Sequence, residues 1–511
     1  MVHLPRGKPS AKKNTAAGFP RGSYLGIAAN RPLFLRRIVT AAAKVLRCGK
    51  NIRQTIMGVH KVEKLKNDGA FYKRFFSLTI TIALQNLIVF SVNLADNLML
   101  GGYSEQALSG VALANQIQFL LQMLVMGAGE GMIVLASQYW GKKEMEPIRR
   151  IISIGFRFGV AAGLLLAVIM FFFPYQVLGL LTNEAAVIEE GVSYIRVICF
   201  SYLFFAMTNI LLSALRSVET VKIAFAVSAS TLCINVFLNS LLIYGNLGAP
   251  RLGAQGAAIA TLIARIVEFF IVLWYLKFKD KKLNLHARDL LVLDWELLRR
   301  YVRVGCPVIL SNGIWGIAQA VQTGILGHLG GPAIAANSIA TTVFQIITVI
   351  SYGASSATAV LTGKTIGEGH MDKLRHYSKV LQVLYLIIGL CTGLLLFLLK
   401  DVIIQFYSIS GETKELAIQF MLVLSVTEIG TSYQVAALTG LVRGGGDTKF
   451  VLFNDSIFMW LIVIPSAALA AFVFNAPPVV VFGCLKCDQI LKCAVAFVKV
   501  NYGKWIRRLT Q

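Results

Sequence analysis

Acidic residues are scarce in this chain, with 25 Asp and Glu against 49 Lys and Arg in 511 residues. Charge of either sign makes up only 14% of the sequence, while 56% is hydrophobic. A soluble domain of that composition would lack the polar surface to stay dissolved, so the chain is read as an integral membrane protein. Histidine is rarer still. The six lie in tails and loops, with only His370 and His376 sharing one basic loop. An integral-membrane enzyme needs His, Asp or Cys clusters near a membrane face, so the chain is not expected to be an enzyme. There is no GxxxxGK[ST] phosphate loop, which argues against ATP as a driving force. The eight cysteines are scattered, and Cys199, Cys233 and Cys391 fall in apolar segments as small hydrophobes. Cys484 and Cys487 form a CxxC element near Cys493, yet no His lies near, so neither zinc nor disulfides are expected.

Residues 1–70 hold fifteen Lys or Arg against Glu63 and Asp68 and contain no apolar run long enough for a signal-peptide core. They read as a basic cytoplasmic extension without fixed structure. The Arg36–Arg37 pair has no such core behind it, and Leu33 to Val45 could lie on anionic lipid as an amphipathic helix.

What the sequence has in abundance is apolar runs of spanning length. A helix crossing about 30 Å of hydrocarbon needs roughly 20 apolar residues. Such segments occupy 76–101, 114–139, 151–178, 192–214, 223–245 and 254–277, and then 304–328, 338–363, 378–400, 415–441, 449–474 and 478–500. The last is the least regular, because Lys486, Asp488 and Lys492 interrupt it.

Basic residues alternate by loop, which separates membrane topology from nucleic-acid binding as the cause of the +24 formal charge. Lys142, Lys143, Arg149 and Arg150 follow segment 2, Arg216 and Lys222 follow segment 4, and a dense basic set from Lys277 to Arg303 follows segment 6. Lys364 to Lys379, Arg443 with Lys449, and Lys499 to Arg508 repeat the pattern. The intervening loops offer only Arg251, Lys400 and Lys414. The positive-inside rule then places both termini in the cytoplasm, and nucleic acid is not expected as a partner.

The chain also repeats itself. Leu100, Gly101, Ala107, Gly127, Ala128, Leu135, Gly141, Met145 and Arg149 each find the same residue type 226 positions later, from Leu326 to Arg375. Six segments per copy put both copies in one orientation, as in transporters built from parallel repeats. The expected layout is an N-terminal lobe at 71–280, a cytoplasmic linker at 281–303 and a C-terminal lobe at 304–511.

The first copy runs LADNLMLGG, then ALSGVALANQI, then ASQYWGKKEMEPIRR; the second runs QTGILGHLG, AIAANSIA and GKTIGEGHMDKLRH. Each half adds a basic turn between its fourth and fifth segments, RSVETVK at Arg216 to Lys222 and RGGGDTK at Arg443 to Lys449. Together these resemble the multidrug and toxic compound extrusion (MATE) family of cation-coupled antiporters, over residues 71–510. The resemblance implies an all-α, V-shaped integral membrane fold of twelve helices in two parallel-repeat lobes around a central cavity. It also implies export of organic cations or other amphipathic small molecules in exchange for Na+ or H+.

An acid in mid-membrane costs about 2.5 to 3.5 kcal/mol on insertion scales and marks a functional candidate. Asp96 falls in the outer half of segment 1, beside a face carrying Asn86, Asn93 and Asn97. Segment 5 brings Asn235 and Asn239, one turn apart, to a comparable depth. A carboxylate among amide oxygens suits a hard cation or a bound proton. In the resemblance Asp96 aligns with the family's cation-coupling Asp and Asn235 with its helix-5 Asn. Asn239 departs from branches with a second Asp there, which favours Na+ at Asp96. Trp315 stands where another branch has a helix-7 Glu. These features place the chain nearer the bacterial branch with the helix-1 Asp site.

Glu428, deep in segment 10, is a candidate for substrate contact or a second ion site, as are Asn312, Gln319 and Gln322 on segment 7. Glu130 sits among Gly127, Gly129 and Gly131, either facing the cavity or pairing with another helix. Glu268 lies three residues after Arg265, close enough for an ion pair. The expectation is therefore a monomeric multidrug antiporter in the plasma membrane that needs no cofactor beyond its coupling ion and works by alternating access. The alternative is a lipid-linked oligosaccharide flippase of the wider superfamily. Such proteins tend to have a strongly cationic cavity, whereas Arg157, Arg196 and Arg265 are the few intramembrane arginines of the first half.

Overall fold

Spanning segments and helices do not share boundaries, because an apolar run marks the hydrocarbon while a helix continues until its backbone is capped. A computed structural model describes residues 69–510 apart from 181, 183 and 406–408. The basic extension to residue 68, including Leu33 to Val45, lies outside the described residues. The first six segments are α1 (Gly69–Gly101), α2 (Glu105–Lys142), α3 (Met145–Phe172), α4, α5 (Lys222–Tyr244) and α6 (Gly253–Phe278). α4 is a bent pair, Ala185–Ile198 and Ser201–Ser217, with 54° between its halves. The second six are α7 (Trp295–Gly327), α8 (Gly331–Gly367), α9 (Met371–Gln405), α10 (Gly411–Arg443), α11 (Thr448–Val473) and α12. α12 consists of two short helices, Pro478–Leu485 and Asp488–Tyr502.

Ten of these helices are long and apolar enough to cross a membrane, or eleven with the bent pair counted as one span. The predicted segments fall on the twelve elements, except that 151–178 overruns α3, which ends at Phe172 before a separate short helix at Pro174–Gly179; α2 starts well before the apolar run because the Ser104 hydroxyl accepts from Ala107 N. Asp294 caps α7 in the same way, accepting from Glu296 N and Leu297 N. α10 ends in a π-helical turn at Ala436–Arg443.

The repeat is visible as symmetric contact. A Cβ on Gly141 would run into the Lys364 carbonyl and lie 2.9 Å from Gly367 Cα. One on Gly367 would meet the Gln138 carbonyl and lie 3.0 Å from Gly141 Cα. Gly141 and Gly367 are repeat counterparts, as are Gln138 and Lys364, so the pseudo-twofold axis passes between these two glycines. Both copies carry glycine there because any side chain would hold α2 and α8 apart.

A second symmetric pair crosses the lobes. A Cβ on Gly127 would approach Ile309 Cα of α7 to 2.7 Å, and one on Gly353 would approach Ala83 N of α1 to 3.2 Å. Each lobe thus lends the basic-end half of its first helix to the other, while the far halves stay in their own lobes, with Leu100 in the N-terminal core and Ala318, Ile325 and Leu326 in the C-terminal one. Phe75, Leu78 and Ile82 of α1 are buried with C-terminal residues such as Tyr385 and Tyr433, while Leu297, Tyr301 and Val304 of α7 are buried with N-terminal ones. The α2–α7 contact runs from Gly131 and Gly305 out to Phe119 and Trp315, whose ring centroids lie 6.2 Å apart. Past that point, at Gly324 and Gly327, an added Cβ would meet nothing within 4 Å. The closest backbone approach between the lobes is at the end bearing the basic loops, at Gly141 and Gly367.

Candidate functional site

α5 enters from the basic end and carries Asn235 and Asn239 on one face, both fully buried against α1 and α6. The Asn239 Nδ2 donates to Asp96 Oδ1 in a short hydrogen bond and also to Asn235 Oδ1 at 3.1 Å. Asn235 Nδ2 in turn donates to Thr261 Oγ1 of α6 at 3.1 Å. A carboxylate, two carboxamides and a hydroxyl from three helices therefore form one connected cluster. Asn239 Oδ1 is buried and has no hydrogen-bond partner. A buried, unmatched acceptor costs about 1 to 3 kcal/mol, so this oxygen beside a carboxylate is an electron-rich site without a donor. Such an amide oxygen could ligate a hard cation together with the carboxylate, whereas a proton could be held only by the carboxylate itself. Asn93 and Asn97 of α1 stay exposed and outside the cluster.

Next to it, Arg265 and Glu268 pair at 2.7 Å with both side chains largely buried, as their spacing on one helix predicts. The Arg265 guanidinium also lies over the Phe205 ring, 5.0 Å from its centroid.

Glu130 connects the lobes. Its Oε2 accepts from Arg443 Nη2 of α10 at 2.9 Å and from Asn312 Nδ2 of α7 at 3.2 Å. Two of the predicted residues, Glu130 and Asn312, are thus joined to each other across the lobe boundary. The adjacent Ser311 hydroxyl donates to Asp455 Oδ2 of α11 at 3.3 Å. Asp455 is ion-paired with Lys492 at 3.1 Å, and Lys492 with Asp488 at 3.0 Å. Gln489 continues the network, donating to Asp488 at 3.0 Å and accepting from Gln434 at 2.9 Å. Of the charges that interrupt segment 12, Asp488 and Lys492 pair with each other and Lys492 pairs with Asp455 of α11.

Glu428 is fully buried. One oxygen contacts the Ser351 and Thr392 hydroxyls at 3.0 and 3.1 Å, while Oε2 has no partner. Gln322 is buried with its Nε2 against Met459 Sδ, and Gln319 is half-buried. Asp96 and Glu428 therefore sit in separate lobes, each hydrogen-bonded to neutral polar side chains.

Sequence reasoning missed Thr261, Arg443 and the Asp455–Lys492–Asp488 triad. The triad had a signal, since an acid and a base four residues apart inside an apolar segment share a helix face. Thr261 had none, because a threonine in a membrane helix is ordinarily satisfied by its own backbone.

Comparisons with known proteins agree with this architecture. The model of the MatE family matches residues 81–241 and 307–469, one match per lobe. A probable multidrug resistance protein NorM of Thermotoga maritima is 23% identical, with 85% of this chain and 93% of that protein covered. The multidrug resistance protein MdtK of Yersinia enterocolitica is 22% identical over 78% of this chain and 87% of its own length. Among solved structures, one described as the outward-facing conformation of a multidrug resistance MATE family transporter superposes with a TM-score of 0.76 at 21% identity, covering 84% of this chain and 94% of that one. MATE in complex with MaL6 gives 0.76 at 20% identity, with 84% and 95% covered. With the family model spanning well over half of the sequence and the twelve-segment, two-lobed fold in common, this chain belongs to the MatE family of multi-pass membrane transporters.

Proposed function

We propose that the protein is a secondary active exporter that exchanges amphipathic or cationic small molecules for an inward-moving Na+ or H+. The observation that carries this reading is the buried Asp96–Asn239–Asn235–Thr261 cluster, with the unmatched Asn239 oxygen beside its carboxylate. Relatives bearing multidrug-resistance names support the substrate class. Basic loops face the cytoplasm under the positive-inside rule. On that orientation the close approach of α2 and α8 lies on the inner side, and the coupling ion would enter at the cluster from outside. One monovalent cation moving inward down 100 mV supplies about 2.3 kcal/mol. A tenfold gradient adds about 1.4 kcal/mol. One ion per cycle is then enough for several-hundredfold export of a neutral compound.

The proposal is tested with dye efflux from proteoliposomes under a Na+ gradient and, separately, a pH gradient. Asp96→Asn keeps the hydrogen bond to Asn239 but removes the charge, and it should abolish gradient-driven efflux while the protein still inserts. Efflux at the unmodified rate would overturn the assignment. Whichever gradient drives the unmodified protein identifies the ion.

A further inference from the structure

Beyond Tyr502 the chain turns back across the basic end, and residues 505–510 touch both lobes. Trp505 is buried in the C-terminal core at 3% exposure, and its Nε1 donates to Val500 O at 2.8 Å. Arg507 N donates to Gly445 O at 2.8 Å, and its guanidinium meets Asp447 at 2.8 Å. Lys499 holds the other Asp447 oxygen, also at 2.8 Å. The RGGGDTK turn is shaped for this segment. A Cβ on Gly445 would come within 2.5 Å of the Trp505 ring, and one on Gly446, at φ +98°, within 3.1 Å of Leu509.

The other attachment is to the N-terminal lobe. Gln138 of α2 is fully buried, and its carboxamide donates to Arg507 O at 3.1 Å and accepts from Leu509 N at 2.9 Å. It pairs with the two peptide groups as a neighbouring strand would. Lys142 Nζ donates to Thr510 O at 2.6 Å, and Leu509 packs on the N-terminal core.

The internal repeat explains why a bridge is needed here. In the first lobe the turn's Glu219 reaches across to Lys364 of α8 at 2.6 Å, and Val218 O accepts from Lys282 of the linker at 2.8 Å. The counterparts of Val218 and Glu219 are Gly445 and Gly446, and that of Lys364 is Gln138. The glycine turn has no side chain to span the gap, and residues 505–509 lie in it instead. The linker after α6 joins the lobes covalently. The segment after α12 joins them through breakable bonds.

We propose that residues 505–510 are a latch: docked on Gln138 and Lys142, they hold the basic end closed, and they release α2 each time that end opens. Release falls on the Gln138 side because the C-terminal anchor has the buried Trp505 ring and the Arg507–Asp447 ion pair. The inference rests on the rocking of lobes in the proposed transport cycle.

Its test uses the full chain in lipid with native cysteines replaced and spin labels at Glu144→Cys and His370→Cys, exposed repeat counterparts beside the closure. Each net hydrogen bond is worth roughly a threefold bias. Gln138→Ala should therefore shift the closed-to-open ratio about tenfold toward the longer distance, and Arg507→Ala should shift it the same way. Removing residues 504–511 gives the same reading if Gln138→Ala does not fold. A reducible cross-link between Gln138→Cys and Leu509→Cys should stop dye transport, and reduction should restore it. An unchanged distance distribution in the folded variants, or full transport by the cross-linked protein, would overturn the latch. Distances measured in an Asp96→Asn background do not depend on ion coupling, so the latch and the exporter reading fail separately.

Discussion

Gly141→Ala adds one methyl group at the pseudo-twofold axis, and its cost falls on a single conformation. That methyl would collide with the Lys364 carbonyl and lie 2.9 Å from both Glu368 N and Gly367 Cα. All three are backbone atoms, so α2 and α8 must separate rather than a side chain move. Overpacking of this kind typically costs about 1 to 3 kcal/mol, which changes a two-state ratio by between about 5-fold and about 150-fold. Once the basic end opens, the methyl has room. Alanine also favours helix over glycine by about 1 kcal/mol, equally in both conformations. The expected result is therefore loss of the closed state without loss of folding. Distances between spin labels at residues 144 and 370 would show the short population reduced at least fivefold. Gly367→Ala should match it by symmetry, and Gly324→Ala, with nothing within 4 Å of its Cβ, should leave the distances unchanged. A distance distribution for Gly141→Ala identical to the unmodified protein would refute the reasoning.

Two further outcomes follow from the buried charges. Lys492→Leu leaves Asp455 and Asp488 facing each other, and breaking a buried pair this way costs about 3 to 5 kcal/mol; detergent-solubilised protein should melt several degrees lower, and adding Asp455→Asn with Asp488→Asn should recover most of the loss. Glu130→Gln retains the contact with Asn312 but leaves Arg443 without its counter-charge, so the closed population should fall by spin-label distance while Asn312→Ala has a smaller effect.

Much of the fold was legible because hydrophobic length and loop charge are local properties. Twelve apolar runs and a 226-residue echo were enough to expect two parallel six-helix lobes. The site was only half legible. Asp96, Asn235 and Asn239 stood out as polar groups in apolar helices, and they touch one another. Glu130 could be read as a cavity residue or as half of a pair, and its partner Arg443 lies 313 residues away. No periodicity reports a contact at that separation. Lys486, Asp488 and Lys492 interrupt a spanning segment, and the pairing of Lys492 with Asp455 could not be read because Asp455 lies on another helix.

The sequence by itself determined that the chain is membrane-embedded and duplicated, since both follow from composition and spacing along the chain. It also placed glycine at both 141 and 367. Only the tertiary structure decided why: those two residues face each other across the axis where α2 and α8 close. Only it revealed that the basic-end halves of α1 and α7 pack on the opposite lobe and that the segment after α12 binds Gln138. The physical reason is the same in each case. Steric exclusion between backbones and pairing of buried polar groups depend on what lies opposite in space, and a chain records its neighbours in sequence rather than in space.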